Sequence, residues 1–144
     1  MIRGHFKRRG SAPPAPYVTV PVRIAGSHPW TAVDFLVDTG ADLTVIHPQD
    51  AARVVPNYAT RDFDEDPSRR AVGGIGGTST FVTMTFDLLL VDDEHGAIAA
   101  TLPLLVAGPR GDVLRNAPSL LGRDILSEFA LYVDARTGTV TLTR

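Results

Sequence analysis

Apolar and polar residues alternate along much of the chain, and this period of two constrains the fold more than any other feature. In residues 18–24 every second position is valine or isoleucine, and residues 78–91 repeat the alternation over a longer stretch. Successive side chains of a β-strand point to opposite faces, so the pattern predicts strands with one buried face. The 13 glycines and 11 prolines supply turns between such strands.

Turn signals divide these strands into hairpins. Residues 18–24 and 30–37 flank a Gly-Ser-His-Pro turn and form a first hairpin, in which Pro21 indicates an edge position. Further elements are predicted downstream: strands over 43–46, 78–91, 97–107, 131–133 and 139–143, and short helices over 47–53 and 123–129. The number and spacing of the strands favour a mainly β fold, a closed or partly closed β-barrel with one or two short helices.

Residues 1–16 have a different composition from the rest. They are basic at first and then rich in proline and glycine, with little to bury, which predicts a flexible N-terminal tail. Their Lys-Arg-Arg cluster could touch a nucleic acid or a membrane, but a solvated tail is the favoured interpretation. Residues 17–144 then form a single domain, as the total length of 144 residues predicts.

Composition and charge exclude several function classes. The net charge of −2 gives no reason to expect a nucleic-acid or membrane partner. The absence of cysteine excludes disulfides, thiolate metal sites and cysteine nucleophiles. No apolar stretch is long enough for a signal peptide or a membrane span, so a cytoplasmic protein is expected. Arginine outnumbers lysine by 13 to one, a bias typical of GC-rich bacterial genomes.

The tripeptide Asp38-Thr39-Gly40 follows an apolar strand and occurs once in the chain. By itself such a tripeptide is most often a turn in which the aspartate caps the backbone. Two such carboxylates in contact would share one proton and act as an acid and a base toward a water molecule. Gly40 permits a close turn whose amides point at the carboxylate, and the Thr39 hydroxyl can donate across such a pair.

Two further motifs follow in order. The first is the glycine cluster at residues 73–77, which lies between strand-like segments and suits the tip of a hairpin, although glycine clusters are commonly flexible loops. The second is the sequence Ser-Leu-Leu-Gly-Arg-Asp at residues 119–124, which by itself would be ordinary core. Together with Asp38-Thr39-Gly40, they resemble the retroviral-type aspartic peptidases, the retropepsin-like family. The resemblance covers residues 18–130.

The resemblance implies a fold and a set of site residues. It implies the retropepsin-like barrel with a glycine-rich flap hairpin, in which Asp38 is the catalytic aspartate and Thr39 and Gly40 complete its loop. The substrate-binding positions that it implies are Ala41, Asp42, Val45, Gly73, Gly74, Ile75 and Leu120. Ile75 corresponds to the flap amide that holds a water against the substrate. The resemblance also implies that Gly122, and Asp42 paired with Arg123, give structural support to the active-site loop.

A single Asp-Thr-Gly predicts a homodimer. The chemistry needs two catalytic aspartates, and the chain contains the Asp-Thr-Gly motif only once. The predicted function is an aspartic endopeptidase that hydrolyses polypeptides without a cofactor. The alternative is a dimeric binding or scaffold module with the same fold and little or no catalysis. The chain runs past the compact viral ending to residue 144, which leaves the arrangement of the dimer interface open.

Other assignments have less support. Asp34, Asp38, Asp42, His47 and Asp50 lie close together in sequence, but their spacing matches no metal-ligand motif, so no metal site is predicted. No serine lies in a nucleophile-elbow context, so a serine hydrolase is not predicted.

Overall fold

The computed structural model describes residues 1–26, 29–74, 77–110 and 114–144. Within these ranges the secondary structure is mostly strand. The strands are β1 (Ile2–Arg3), β2 (His5–Lys7), β3 (Ala15–Ile24), β4 (Thr31–Val37), β5 (Val45–Ile46), β6 (Arg70–Gly74), β7 (Gly77–Asp92), β8 (Gly96–Ala107), β9 (Ser119–Leu121), β10 (Ala130–Asp134) and β11 (Thr139–Thr143). The helices are α1 (Pro48–Val54) and α2 (Arg123–Leu126), with a 3-10 turn at Tyr58–Thr60.

Six of the strands close into a barrel. β3 pairs antiparallel with β4 on one side and with β7 on the other, and β7 continues antiparallel to β8. β8 runs parallel to β5, β5 is antiparallel to β9, and β9 runs parallel to β4, which completes the ring. The predicted mainly β barrel is therefore confirmed, and its closure is complete.

The barrel interior is filled by the apolar positions of the alternating segments. In β3 the residues Val18, Val20 and Val22 are buried, and Val33 and Phe35 of β4 face them across the first hairpin. Pro21 lies between the part of β3 that pairs with β2 and the part that pairs with β7. A residue without an N–H can be accommodated in that interval without the loss of a ladder hydrogen bond.

The N-terminal segment differs from the flexible tail that its composition predicts. β1 pairs with both β11 and β7, and β2 pairs with the beginning of β3. Ile2 is buried in the core, and the Nζ atom of Lys7 lies 2.9 Å from a carboxylate oxygen of Asp34. At Gly4, a Cβ atom would come within 2.3 Å of the Tyr17 carbonyl oxygen, so only glycine permits this packing. Strands of two and three residues are too short to show a period of two in the sequence.

Both predicted helices form. α1 begins at Pro48, whose missing N–H is not needed in the first turn. α2 ends at Leu126, earlier than predicted, and residues 127–129 continue as tighter turns before β10 begins at Ala130. Neither helix, and no other helix in the described ranges, has the length and apolarity needed to cross a membrane.

Candidate active site

Asp38 lies where β4 leaves the barrel. The parallel pairing of β4 with β9 ends at Val37 opposite Leu121, and the Asp38 amide then donates to the Leu121 carbonyl oxygen over 3.0 Å. The chain turns at once, because the Ala41 amide donates to the Asp38 carbonyl oxygen. The backbone of this acid is thus fixed by the strand behind it and by the turn ahead of it.

The carboxylate of Asp38 is held by its own loop. Its Oδ1 atom accepts the amide N–H of Gly40 over 2.9 Å. A Cβ atom at position 40 would lie 3.2 Å from the same oxygen, so a side chain there would crowd the carboxylate. Asp38 is half-buried, whereas Thr39 and Gly40 are exposed on the same loop. This arrangement leaves a fixed carboxylate next to an exposed turn.

Arg123, the first residue of α2, connects the helix to this loop. Its Nη1 atom donates to the Thr39 carbonyl oxygen over 3.0 Å, and its Nη2 atom contacts the Asp42 carboxylate. Both side chains are largely exposed, so the ion pair by itself adds little to stability. The bond to the Thr39 backbone, in contrast, fixes the position of the loop directly. The structure therefore brings together Asp42 and Arg123, the two residues that the family resemblance pairs.

Backbone contacts reinforce this junction. The amides of Arg123 and Asp124 donate to the carbonyl oxygens of Ala41 and Asp42, over 2.9 and 3.2 Å. Gly122 precedes them and allows the close approach, because a Cβ atom there would lie 2.5 Å from the Leu43 backbone. The start of α2 and the loop after Asp38 thus form one continuous hydrogen-bonded unit.

Thr44 and Asp124 join this unit, although the sequence interpretation did not single them out. Thr44 is fully buried, and its amide and hydroxyl donate to the two oxygens of Asp124, over 2.9 and 2.7 Å. The Thr44 hydroxyl oxygen in turn accepts the Gly122 amide over 3.0 Å. The available signal was a polar residue inside the apolar run 43–46, because buried polar groups need partners.

The predicted pocket positions are not equally accessible. Val45 is buried and packs with Phe81 and Leu105 in a small cluster of its own beside the main core. Leu120, which pairs with Val45 across the β5–β9 ladder, is half-buried, and so is Ala41. Ala41 and Leu120 can therefore present surface to a ligand more readily than Val45.

The predicted flap is a hairpin of β6 and β7. Gly73 pairs with Thr78, and Gly74 pairs with Gly77, at the distal end of the β6–β7 ladder. Ile75 lies outside the described residues. Val72, on the strand leading to the tip, is exposed. A two-stranded ladder that ends in glycines is thus present where the sequence predicts the flap.

The acids near Asp38 in sequence have separate partners. Burial raises the pKa of Asp34, but hydrogen bonds from Thr19 and Lys7 outweigh it and hold that pKa below its usual value. Asp50 accepts the Ser119 hydroxyl and an Arg53 guanidinium N–H. Among the described residues, no group of three or more histidine or acidic side chains is arranged to hold a metal ion.

His47 is buried and lies immediately before the first residue of α1. Its Nδ1 atom lies 2.5 Å from the Pro118 carbonyl oxygen, which can only accept, so Nδ1 carries the proton. Burial lowers the pKa of His47, and the bond to Pro118 offsets this only in part. His47 is therefore a neutral structural residue at neutral pH.

Comparison with known proteins identifies the family to which the chain belongs. The family model described as retroviral aspartyl protease matches residues 13–134. Among solved structures, the chain is similar to a retropepsin-like aspartic protease from Rickettsia conorii, with a TM-score of 0.56 and 17% identity over 86% of this chain and 88% of that one. It is also similar to the EIAV protease complexed with the inhibitor HBY-793, with a TM-score of 0.49 and 22% identity over 84% and 93% of the two chains. No curated protein sequence matches the chain.

The similarity to the Rickettsia structure supports the barrel fold described above. The family model covers most of the chain, including all of the loop around Asp38 and its support by α2. The chain belongs to the retroviral aspartyl protease family.

Proposed function

We propose that the chain is an aspartic endopeptidase that acts as a homodimer, with Asp38 of each copy contributing one carboxylate. The observation that carries this proposal is the fixed carboxylate of Asp38, which accepts the Gly40 amide beside an exposed turn. The loop is braced from α2 by Arg123, so its geometry can be kept when a second copy approaches. Membership of the family supports the same conclusion.

The chemistry follows from two carboxylates that share one proton. The ionised Asp38 takes a proton from water as the water oxygen bonds to the carbonyl carbon, and the protonated Asp38 gives its proton to the carbonyl oxygen. In the tetrahedral diol that results, the first carboxyl protonates the amide nitrogen. The second takes a hydroxyl proton as the C–N bond breaks. The products are a carboxylic acid and an amine, and the pair again shares one proton.

Each residue of the loop has a defined part in this mechanism. The Gly40 amide holds the Asp38 carboxylate in place by a hydrogen bond to its Oδ1 atom. The exposed Thr39 donates its hydroxyl toward the partner copy, so that the two loops stay in register. Arg123 with Asp42 positions the loop without touching the reacting atoms.

The substrate is an extended polypeptide held between this loop and the flap. An extended segment can bond to backbone groups at the end of the β6–β7 hairpin, where Gly73 and Gly74 lie. The Ile75 amide holds a water against the substrate carbonyls, and Asp42 meets the substrate backbone. Ala41, Val45 and Leu120 form apolar pockets, and this composition predicts a hydrophobic preference at the scissile bond. No cofactor, nucleic acid or membrane is required.

The test is Asp38→Asn, which keeps the shape of the side chain and removes its charge. Turnover of a peptide library at several pH values should fall by at least about a thousandfold, because the pair then lacks a base. Asp93→Asn is the matched control, since that acid is partly exposed in the β7–β8 turn and pairs with Arg3. Equal cleavage by the wild type and Asp38→Asn would overturn the proposal. A folded wild-type dimer that cleaves no peptide would favour a binding module instead.

A further inference from the structure

Residues 114–119 form a wall segment that borders the proposed substrate pockets at both of its ends. At its beginning, Leu114 packs against the small cluster that contains Val45. At its end, the chain enters β9, in which Leu120 lies. Between these points the chain turns, and the Ala117 amide donates to the Leu114 carbonyl oxygen over 3.1 Å. A shift of the wall segment therefore changes the surroundings of two pocket residues.

The end of the wall segment is fastened to α1 and to the residue before it. Ser119 is fully buried, and its hydroxyl donates to the Asp50 carboxylate over 2.7 Å and accepts the His47 amide over 3.1 Å. The His47 ring adds its bond to the Pro118 carbonyl oxygen. Buried polar groups that are paired with one another in this way hold a segment in one position. The wall segment is thus fixed where it enters β9.

Asn116, in the middle of the wall segment, is exposed and is held by two side chains from distant parts of the sequence. The Nη2 atom of Arg9 donates to the Asn116 carbonyl oxygen over 2.6 Å. The Nε2 atom of Gln49 donates to the Asn116 side-chain oxygen over 3.1 Å, and Arg9 also donates to the Gln49 side-chain oxygen over 3.5 Å. Arg9 lies between β2 and β3, so these bonds tie the wall segment to the β2–β3 hairpin as well as to α1.

The neighbouring charges leave Arg9 available for this contact. Arg9 lines a polar cleft of about 320 Å³ that also contains Asp34 and Asp50. Lys7 pairs with Asp34 over 2.9 Å, and Arg53 pairs with Asp50 over 2.7 Å. Each acid of the cleft therefore has a cation of its own, and among the described acids none forms an ion pair with Arg9. A guanidinium that is not paired with an acid donates strongly to a backbone carbonyl oxygen.

We propose that Arg9 is a positioning residue for substrate binding, which holds the wall segment in place through Asn116. The inference rests on the proposed function, because the ligand is the polypeptide substrate. A loop that is already ordered loses less conformational entropy when a ligand binds, so the ligand binds more tightly. The loop of Asp38 is held separately by Arg123. Loss of the Arg9 contact should therefore raise KM and leave kcat nearly unchanged.

Arg9→Met tests this role, because it keeps an unbranched side chain and removes every N–H donor. For the library peptide that the wild type cleaves fastest, KM should rise about fivefold, which is the effect of one typical hydrogen bond. Arg8→Met is the matched control, since it removes the same charge from the exposed neighbouring residue and should leave KM unchanged. Equal KM values for the two variants would overturn the inference, and so would a kcat that falls as much as KM rises.

Hydrogen exchange measures the fastening of the wall segment without any substrate. The amides of residues 115–117 should exchange about fivefold faster in Arg9→Met than in the wild type, because the turn closed by the Ala117 amide opens more often. Arg8→Met should leave their exchange unchanged. Arg9→Lys keeps a cationic donor for the Asn116 carbonyl oxygen, so it should recover part of the protection and part of the substrate affinity. Equal exchange in Arg9→Met and the wild type would overturn the inference.

The inference and the proposed function can fail separately. Asp38→Asn keeps the pockets, so calorimetry can measure its affinity for library peptides without cleavage. Adding Arg9→Met to Asp38→Asn should weaken this binding about fivefold. A protein that cleaves no peptide but shows this difference in binding would remove the peptidase and keep the role of Arg9. A peptidase whose KM and peptide affinity do not respond to Arg9→Met would do the opposite, and a protein that neither cleaves nor binds any peptide would overturn both.

Discussion

At the scale of single residues, the loop of Asp38 depends on neighbours that do not take part in the chemistry. The contact of Arg123 with Asp42 follows the pairing that the family motif implies. The contact of Thr44 with Asp124 was not predicted, because a threonine in an apolar run does not indicate which residue accepts its hydrogen bonds. Their bond depends on bringing together residues that are 80 positions apart, which only the fold determines.

Asp124→Ala tests this support. It removes the acceptor for the amide and hydroxyl of the fully buried Thr44, so the free energy of unfolding should fall by about 1–3 kcal/mol. Urea unfolding measures the loss, and kcat should fall more than KM changes, because the Asp38 loop is displaced. Glu128→Ala, which removes an exposed acid one turn later, is the control and should alter neither the free energy of unfolding nor kcat. Equal unfolding curves for the two variants would contradict a role for Asp124.

At the scale of elements, long alternating segments could be predicted from the sequence and short ones could not. The β3–β4 hairpin shows several alternations, and the structure confirms it. β1 and β2 contain five residues together, and their basic composition indicated a tail. Their position depends on Ile2 entering the core and on the chain passing close to Tyr17 at Gly4, both of which are tertiary effects.

Gly4→Ala tests whether these strands belong to the domain. The new Cβ would lie 2.3 Å from the Tyr17 carbonyl oxygen and 3.0 Å from Val140, so β1 or β3 must shift. We expect a loss of about 1–3 kcal/mol in unfolding free energy, as overpacking typically causes. Gly10→Ala is the control for glycine replacement in the same segment, since nothing lies within 4 Å of that position. Its φ of +58° adds a small backbone cost of its own. If Gly4→Ala melts no lower than Gly10→Ala, residues 1–7 behave as a tail.

At the scale of the whole molecule, stability and the proposed activity have different pH requirements. A shared proton favours catalysis in mildly acidic solution. The fold, in contrast, holds acids in their charged form: hydrogen bonds from Thr101 and Arg23 lower the pKa of Asp87, and those from Thr19 and Lys7 outweigh burial at Asp34. Stability from such depressed carboxyl groups is present above their unfolded pKa and is lost as the pH falls through the folded value.

As the pH falls, His47 causes a loss of stability that begins at a higher pH than the loss caused by the carboxyl groups. Burial depresses its pKa below the usual 6.5, so the unfolded chain binds a proton that the folded chain does not, and stability decreases as the pH falls below that value. The melting temperature should therefore begin to drop between about pH 7 and 5, above the range of the carboxyl groups. His47→Gln keeps an N–H donor for the Pro118 carbonyl oxygen and does not titrate, so its melting temperature should be flatter in this interval. A His47→Gln slope identical to that of the wild type would show that this histidine does not couple folding to pH.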